Sequence, residues 1–317
     1  MNRNSSAILA LCSHLCMGEN IVPLEPKEWS EIAKKLMERD MQPAELFDFS
    51  SSDLTQNLDI SQDYADRLVR LMDRSASLAF EISRYENMGI TPVTRADKAY
   101  PATLKKRLGN SCPPIFYCCG DMSLLTVECV GYAGSRTVSE DDEEFTKSTV
   151  KKTAAHGYGV VSGGAKGIDT FAEEAVLAAG MTAVEFLSDS MLRRLHKSST
   201  VKAVNDGRLL LLSVAKPDAG FNVGIAMMRN RYIYAHSIGT VIVRSDLGKG
   251  GTWAGAVENL KHGWCKELCW NNQDYKGNMS LIEKGAIPVD SDWDGNIDAA
   301  VPKSAVSDQQ QLSLFDD

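Results

Sequence analysis

Three times between Val127 and Thr252, a short apolar run ends in a glycine-bearing turn and gives way to a helix-like stretch. Residues 127–133 run into Gly134-Ser135-Arg136. Residues 159–162 run into Gly163-Gly164-Ala165-Lys166-Gly167. Residues 240–244 lead to Asp246-Leu247-Gly248-Lys249-Gly250-Gly251-Thr252. Strands that alternate with helices cannot pair as hairpins. Each helix must cross back over the sheet, so the strands run parallel with helices on both faces. The predicted fold class is therefore α/β, a Rossmann-like, mostly parallel sheet.

The helix signals agree with this reading. Ser139 is an N-cap candidate, and five acids at 140–144 suit the positive end of a helix dipole. That helix is expected to stop at Gly157. Thr170-x-x-Glu173 has the form of a capping box and predicts a helix over 171–179, closed by Gly180. Residues 89–94, 181–187, 209–214 and 265–270 read as further strands. Helices are expected at 190–204, 223–237 and 252–262. Before residue 89 the texture is different. Apolar positions recur at helical spacing, as in Trp29, Ile32, Leu36 and in Leu68, Leu71, Met72, with polar breaks between them. Residues 1–88 are thus a small helical domain, 89–290 the α/β domain, and 291–317 a flexible tail.

In open parallel sheets, ligands bind outside the carboxyl ends of strands. All three glycine turns fall there. Glycine lets backbone amides approach an anion, and a following helix aims free N–H groups at it. Arg136 adds a forked guanidinium, Lys166 and Lys249 add point charges, and Ser135 a hydroxyl. None of the turns is a P-loop or a G-x-G-x-x-G, and each alone is explained by a tight turn. Together they predict a cradle for a polyanion. Its size must be local, because the 317-residue chain carries a net charge of −8. A sequence-blind coat on DNA usually carries a basic surface instead.

Other candidates have a plainer alternative beside them. Arg229 and Arg231 flank Asn230 on an otherwise apolar helix. They contact a ligand or form structural ion pairs, with Asp169 or Glu173 as candidate partners. The run Arg193-Arg194-Leu195-His196-Lys197, with Lys202, is a solvated face or an extension of an anion track. Asp169 is a helix cap or a base. No nucleophile, base and carboxylate stand out as a set, so no catalytic residue is assigned. The eight cysteines include no C-x-x-C and the five histidines are scattered, so no metal or other cofactor is expected. No apolar run approaches the roughly 18 residues of a membrane helix, and the start lacks a signal-peptide pattern. A cytoplasmic protein is expected.

From about Gly89 to Ile287 these motifs resemble the DprA/Smf family of DNA-processing proteins. The marks are Tyr100-Pro101-Ala102-Thr103-Leu104, residues 113–117 followed by Gly120, Gly134-Ser135-Arg136, residues 162–169, Arg229-Asn230-Arg231, Gly277-Asn278 with Leu281, and Gly285-Ala286. The helical N-terminal part looks like that family's sterile-alpha-motif-like domain. The resemblance implies a homodimer that binds single-stranded DNA, protects it and loads RecA onto it, in recombination or natural transformation. It implies that Arg136 and Lys166 contact the DNA backbone, and that Ser162, Gly163 and Asn230 shape the pocket wall. The full expected set is Gly134, Ser135, Arg136, Ser162, Gly163, Gly164, Lys166, Gly167, Asn230, Arg231 and Lys249. Four departures mark a divergent member. Phe171-Ala172 stands where the family has a small residue and then His. Gly164 replaces a common Leu. Residues 248–252 are richer in glycine than the usual segment, and no winged-helix pattern follows.

Two further readings stand beside this one. Gly250-Gly251-Thr252 with Glu258 half resembles the motif of lysine-decarboxylase-like phosphoribohydrolases, which implies a nucleotide sensor or hydrolase, but the glutamate is out of register. The last residues resemble the peptide by which bacterial proteins bind the DNA sliding clamp. Gln311, Leu312, Leu314 and Phe315 fit it, and large apolar side chains on a polar tether suit a groove on a partner or dock on the protein's own surface.

Overall fold

The computed structural model describes residues 1–18 and 21–301. Two compact units emerge. The first comprises Met1–Gly120 with the short returns Asp189–Arg194 and Leu212–Gly220, and the second the remainder. The division falls at Gly120 rather than at residue 88, so the first strands belong with the N-terminal helices.

In the first unit, helices α1 (Arg3–Cys12), α2 (Pro26–Met37), α3 (Ser51–Leu58), α4 (Gln62–Met72) and α5 (Ser75–Glu86) bear out the helical reading. Helix α1 is the core element, with every residue from Ala7 to Cys12 buried. Beyond its end the chain turns, and the buried Arg74 donates to the carbonyls of Ser13 and Leu15 at 3.2 and 2.8 Å. Carbonyls left without helical partners are thereby satisfied. Strand β1 (Thr91–Thr94) pairs antiparallel with β2 (Ile115–Cys119), with α6 (Ala102–Leu108) between them. Sequence reading missed β2, because its five residues are all buried and show no period-two alternation.

The second unit contains β3 (Cys129–Ala133), α7 (Glu140–Ala155), β4 (Gly159–Ser162), α8 (Ile168–Ala178) and β5 (Ala183–Leu187). The expected helix at 190–204 is two short ones, α9 (Met191–Leu195), all but its last residue counted with the first unit, and α10 (Ser198–Asn205). Then come β6 (Leu209–Ser213), α11 (Val223–His236), β7 (Gly239–Ile242), α12 (Gly250–His262), β8 (Lys266–Trp270), α13 (Lys276–Glu283) and β9 (Ile287–Val289). Strand order is β6-β5-β4-β3-β7-β8-β9. The registers of β3 with β4 and β7, of β4 with β5, of β7 with β8 and of β8 with β9 are parallel. Helices cover both faces. The Tyr132 hydroxyl lies 3.3 Å from Thr153 on α7, while the next residue, Ala133, packs with Tyr234 of α11 and Ala256 of α12. Adjacent residues of a strand point to opposite faces. Among the described residues no helix is long and apolar enough to cross a membrane.

Ser139 caps α7 as expected, accepting from the Asp142 amide. The proposed capping box at Thr170 does not form. Helix α8 begins earlier, at Ile168, so Thr170 lies inside it and its hydroxyl donates back to the Ala165 carbonyl at 2.9 Å.

One order matters for function. The chain lays down β3, β4, β5 and β6 in one direction, then returns to place β7 on the other side of β3. Helices that follow β3 and β7 therefore diverge, and a crevice opens at the carboxyl ends of these two strands. Its far lip is α12, which is tied to β8 through Asn259. That side chain donates to the Cys265 carbonyl at 3.1 Å and to Glu267 Oε2 at 3.0 Å, and accepts from the Cys265 amide at 3.2 Å. Glu267 is only 4% exposed. Burial, opposed by the Asn259 hydrogen bond, pushes its carboxyl up from 4.5 to about 8. The folded state thus holds this proton more tightly than the unfolded chain. Its contribution is complete below about pH 4.5 and is lost as pH rises to about 8. Glu267→Gln keeps the acceptor and removes the ionisation. Urea titrations should find the variant close to the parent at pH 4.5 and more stable by roughly 2–4 kcal/mol at pH 9. An equal gap at both values would show that Glu267 ionises normally.

Candidate nucleic-acid interface

At the β3/β7 switch point lies a cleft of about 390 Å³. Gly134, Ser135 and Arg136 enter it from the turn after β3, Lys166 from the turn after β4, Lys249 from the turn before α12, and Asn230 from α11. The glycine turns that sequence alone placed at separate strand ends thus meet in one place.

Two glycines bring them together. Gly167 has φ +82°, and a Cβ there would sit 2.5 Å from the Ser135 carbonyl and 3.0 Å from Arg136 Cα. The turn after β4 therefore packs directly against the turn after β3, which no side chain at 167 would permit. Gly163 serves a different purpose. A Cβ on it would lie 1.4 Å from Arg229 Nη1 and 2.0 Å from Cζ. The guanidinium occupies the side-chain space of residue 163. Arg229 is 6% exposed and faces Asp169 at 3.7 Å. Asp169 Oδ2 in turn accepts from the Gly163 and Ala165 amides at 3.0 and 3.2 Å. Burial pushes the Asp169 carboxyl up, and Arg229 and the two amides oppose that shift. Of the two readings open for Asp169, the structure supports a cap, though for the glycine loop rather than for the helix.

The structure also separates some predicted residues from the cleft. Ser162 is buried, and Ser162, Gly163, Gly164 and Gly167 do not line it; the glycines shape the loop that presents Lys166. Arg231 is also outside the lining. Its Nε pairs with Glu258 at 2.9 Å, which is the structural ion pair of the two alternatives. Of the basic run after 192, Arg193 pairs with Asp189 at 3.5 Å and Lys202 with Asp206 at 2.7 Å, and neither lines the cleft. All eight cysteines are free, and the six buried ones act as small apolar groups. Gln311, Leu312, Leu314 and Phe315 lie outside the described residues.

Electrostatically the cleft opposes the rest of the chain. Its lining holds five cationic residues, Arg136, Lys166, Arg229, Arg244 and Lys249, and two acids, Asp169 and Asp246. Since Arg229 and Asp169 face each other in the interior, four cations and Asp246 remain toward solvent. Sequence reading missed Arg244. It stands two residues past the last paired position of β7, as Ser135 stands two past that of β3, and that placement was the available signal. Apolar side chains form another part of the lining. Phe221, Val223 and Met227 line the cleft and are 49%, 67% and 40% exposed. The Arg136 guanidinium lies over the Phe221 ring, 5.2 Å from its centroid.

Comparison with known proteins follows the same outline. Residues 91–296 match the model of the family described as DNA recombination-mediator protein A. The DNA processing protein DprA of Bacillus subtilis (strain 168) is 25% identical over 184 residues, 57% of this chain. The match spans 61% of that relative's length. The crystal structure of DNA processing protein A from Streptococcus pneumoniae superposes with a TM-score of 0.72 at 17% identity, covering 91% of this chain and 95% of that one. DNA processing protein A from Helicobacter pylori, whose structure concerns its single-stranded DNA binding mode, gives 0.52 at 24% identity, with 70% and 96% covered. At these identities the structural likeness establishes a shared fold.

The role of Gly163 gives a direct test. Gly163→Ala must expel Arg229 and leave Asp169 buried without its partner. A loss of about 3–5 kcal/mol is expected in urea unfolding. Gly220→Ala is the control, because nothing lies within 4 Å of its Cβ position; it should change stability by less than about 0.5 kcal/mol. Equal effects at both positions would mean that Arg229 moves aside without cost.

Proposed function

The chain belongs to the DNA recombination-mediator protein A family, and from that premise we propose that its switch-point cleft binds single-stranded DNA. The observation that carries the proposal is the pairing of two chemistries in one cleft. Arg136, Lys166, Arg244 and Lys249 suit phosphates, while Phe221, Val223 and Met227 offer an exposed apolar wall. Phosphate contacts alone do not distinguish single strands from duplex. An aromatic face beside them does, because only unpaired bases can stack on it. Arg136 above Phe221 joins the two functions, a cation over the ring whose fork suits a phosphate. The subject of the Helicobacter pylori structure, a single-stranded DNA binding mode, supports the same choice.

The reading is one of binding, not turnover. Glu258, the residue on which a phosphoribohydrolase resemblance depends, is engaged by Arg231 and does not line the cleft. The family resemblance extends the proposal to a cytoplasmic homodimer that protects the bound strand and loads RecA on it during recombination or natural transformation. With a chain charge of −8, affinity per cleft is modest, and two clefts on one strand raise it. The terminal Gln311, Leu312, Leu314 and Phe315 are proposed to tether the protein to the DNA sliding clamp. Deleting residues 311–317 should abolish capture on immobilised clamp and leave DNA binding intact; retained capture removes that part of the proposal.

Oligo-dT titrations at several salt concentrations test the central reading. The double variant Arg136→Ala, Lys166→Ala should bind at least ten-fold more weakly, with the slope of log affinity against log salt reduced by about 1.4. Phe221→Ala should weaken binding by about 1–3 kcal/mol with the slope unchanged. Parental affinity in both variants would locate the DNA elsewhere.

A further inference from the structure

Of the four solvent-facing cations, Arg244 differs in how it is held. It follows β7 beside the glycine turn of β3, with its amide 3.4 Å from where a Gly134 Cβ would lie. Its Nη1 donates to Asp142 Oδ2 at 3.1 Å. The Tyr275 ring packs beneath its guanidinium, 4.9 Å from Cζ to the centroid, and the Tyr275 hydroxyl donates to the other oxygen of the same carboxylate at 2.8 Å. Asp142 is fully buried and also accepts from the amide and hydroxyl of Ser139 at 2.8 and 3.0 Å. Three elements, the α7 start, the β7 end and the α13 start, thus fix one guanidinium.

Arginine–carboxylate pairs are frequently bidentate, which engages two nitrogens of the fork. Here Arg244 meets Asp142 through a single nitrogen. Asp142 divides its acceptor capacity among Ser139, Tyr275 and Arg244. The remaining N–H groups of Arg244 have no acceptor among the described residues, and the side chain is 32% exposed, in the cleft lining. A flexible lysine must give up rotamer freedom to hold a phosphate; an arginine already clamped does not.

We propose that Arg244, clamped by Asp142 and Tyr275, is a preorganised phosphate-binding residue of the cleft. The proposal rests on the single-strand reading above and deepens it. Lys166 and Arg244 enter from the ends of different strands, on either side of the β3 turn, so the cleft engages more than one phosphate of the same strand. Arg244 is the binding group, and Asp142 and Tyr275 are positioning residues.

The test separates binding from positioning. Arg244→Ala should weaken oligo-dT binding by about ten-fold and lower the salt slope by about 0.7, the value for one single-strand phosphate contact. Tyr275→Phe keeps the ring and the charge but releases the carboxylate. It should weaken binding a few-fold with the slope unchanged and the thermal midpoint within a few degrees. Arg244→Lys should recover the slope but not the full affinity. Parental affinity and slope in Arg244→Ala overturn the proposal. If the parent protein itself does not bind oligo-dT, the single-strand reading has failed, and pyrophosphate decides the remainder. A thermal shift by pyrophosphate in the parent that is lost in Arg244→Ala supports a phosphate-binding Arg244. A shift retained in the variant, or absent from both, overturns it.

Discussion

The cleft depends on a guanidinium placed where a side chain is missing. Arg229 fills the space beside Gly163 and faces Asp169, and Asp169 holds the amides of Gly163 and Ala165. A buried ion pair is weak evidence for net stability, because desolvation offsets most of its attraction. What this pair supplies is a loop conformation. It joins α11 to the turn after β4, and that turn, through Gly167, lies against the turn after β3. Remove any member and the turn that carries Lys166 loses its anchor, and with it the contact that sets this turn against Ser135 and Arg136.

Charge is organised around that frame in two tiers. Inside, carboxylate and guanidinium cancel. Outside, Arg136, Lys166, Arg244 and Lys249 face solvent, with Asp246 among them and the buried Asp142 paired behind Arg244. An acidic chain can therefore present a locally positive site without a basic surface. Such an arrangement limits long-range attraction to a polyanion, so the binding proposed for the cleft relies on contacts at close range. The apolar wall of Phe221, Val223 and Met227 is consistent with that division, since exposed apolar groups grouped at a cleft mark a binding surface.

Much of this was legible from residue order. Strand–glycine–helix units forced a parallel sheet, and the same logic put Gly134, Lys166 and Lys249 at one edge. What stayed hidden depended on distances between segments far apart in the chain. Nothing local says that Arg229 and Gly163 share one space, or that Arg231 turns away to Glu258. Arg244 was read as the end of a strand because its partners, Asp142 and Tyr275, lie 102 and 31 positions away. The Thr170 box failed for a local reason: Gly167 can adopt a left-handed backbone, so the helix starts one turn sooner. The all-buried β2 carried no alternation to read.

Photo-crosslinking addresses the central claim most directly, because it reports position rather than affinity. Oligo-dT carrying 5-iodouracil, irradiated with the full-length protein and mapped by mass spectrometry, should yield adducts on the apolar wall, at Phe221 and Met227. Adducts confined to the first compact unit, or scattered over the surface with none at this wall, would contradict the account.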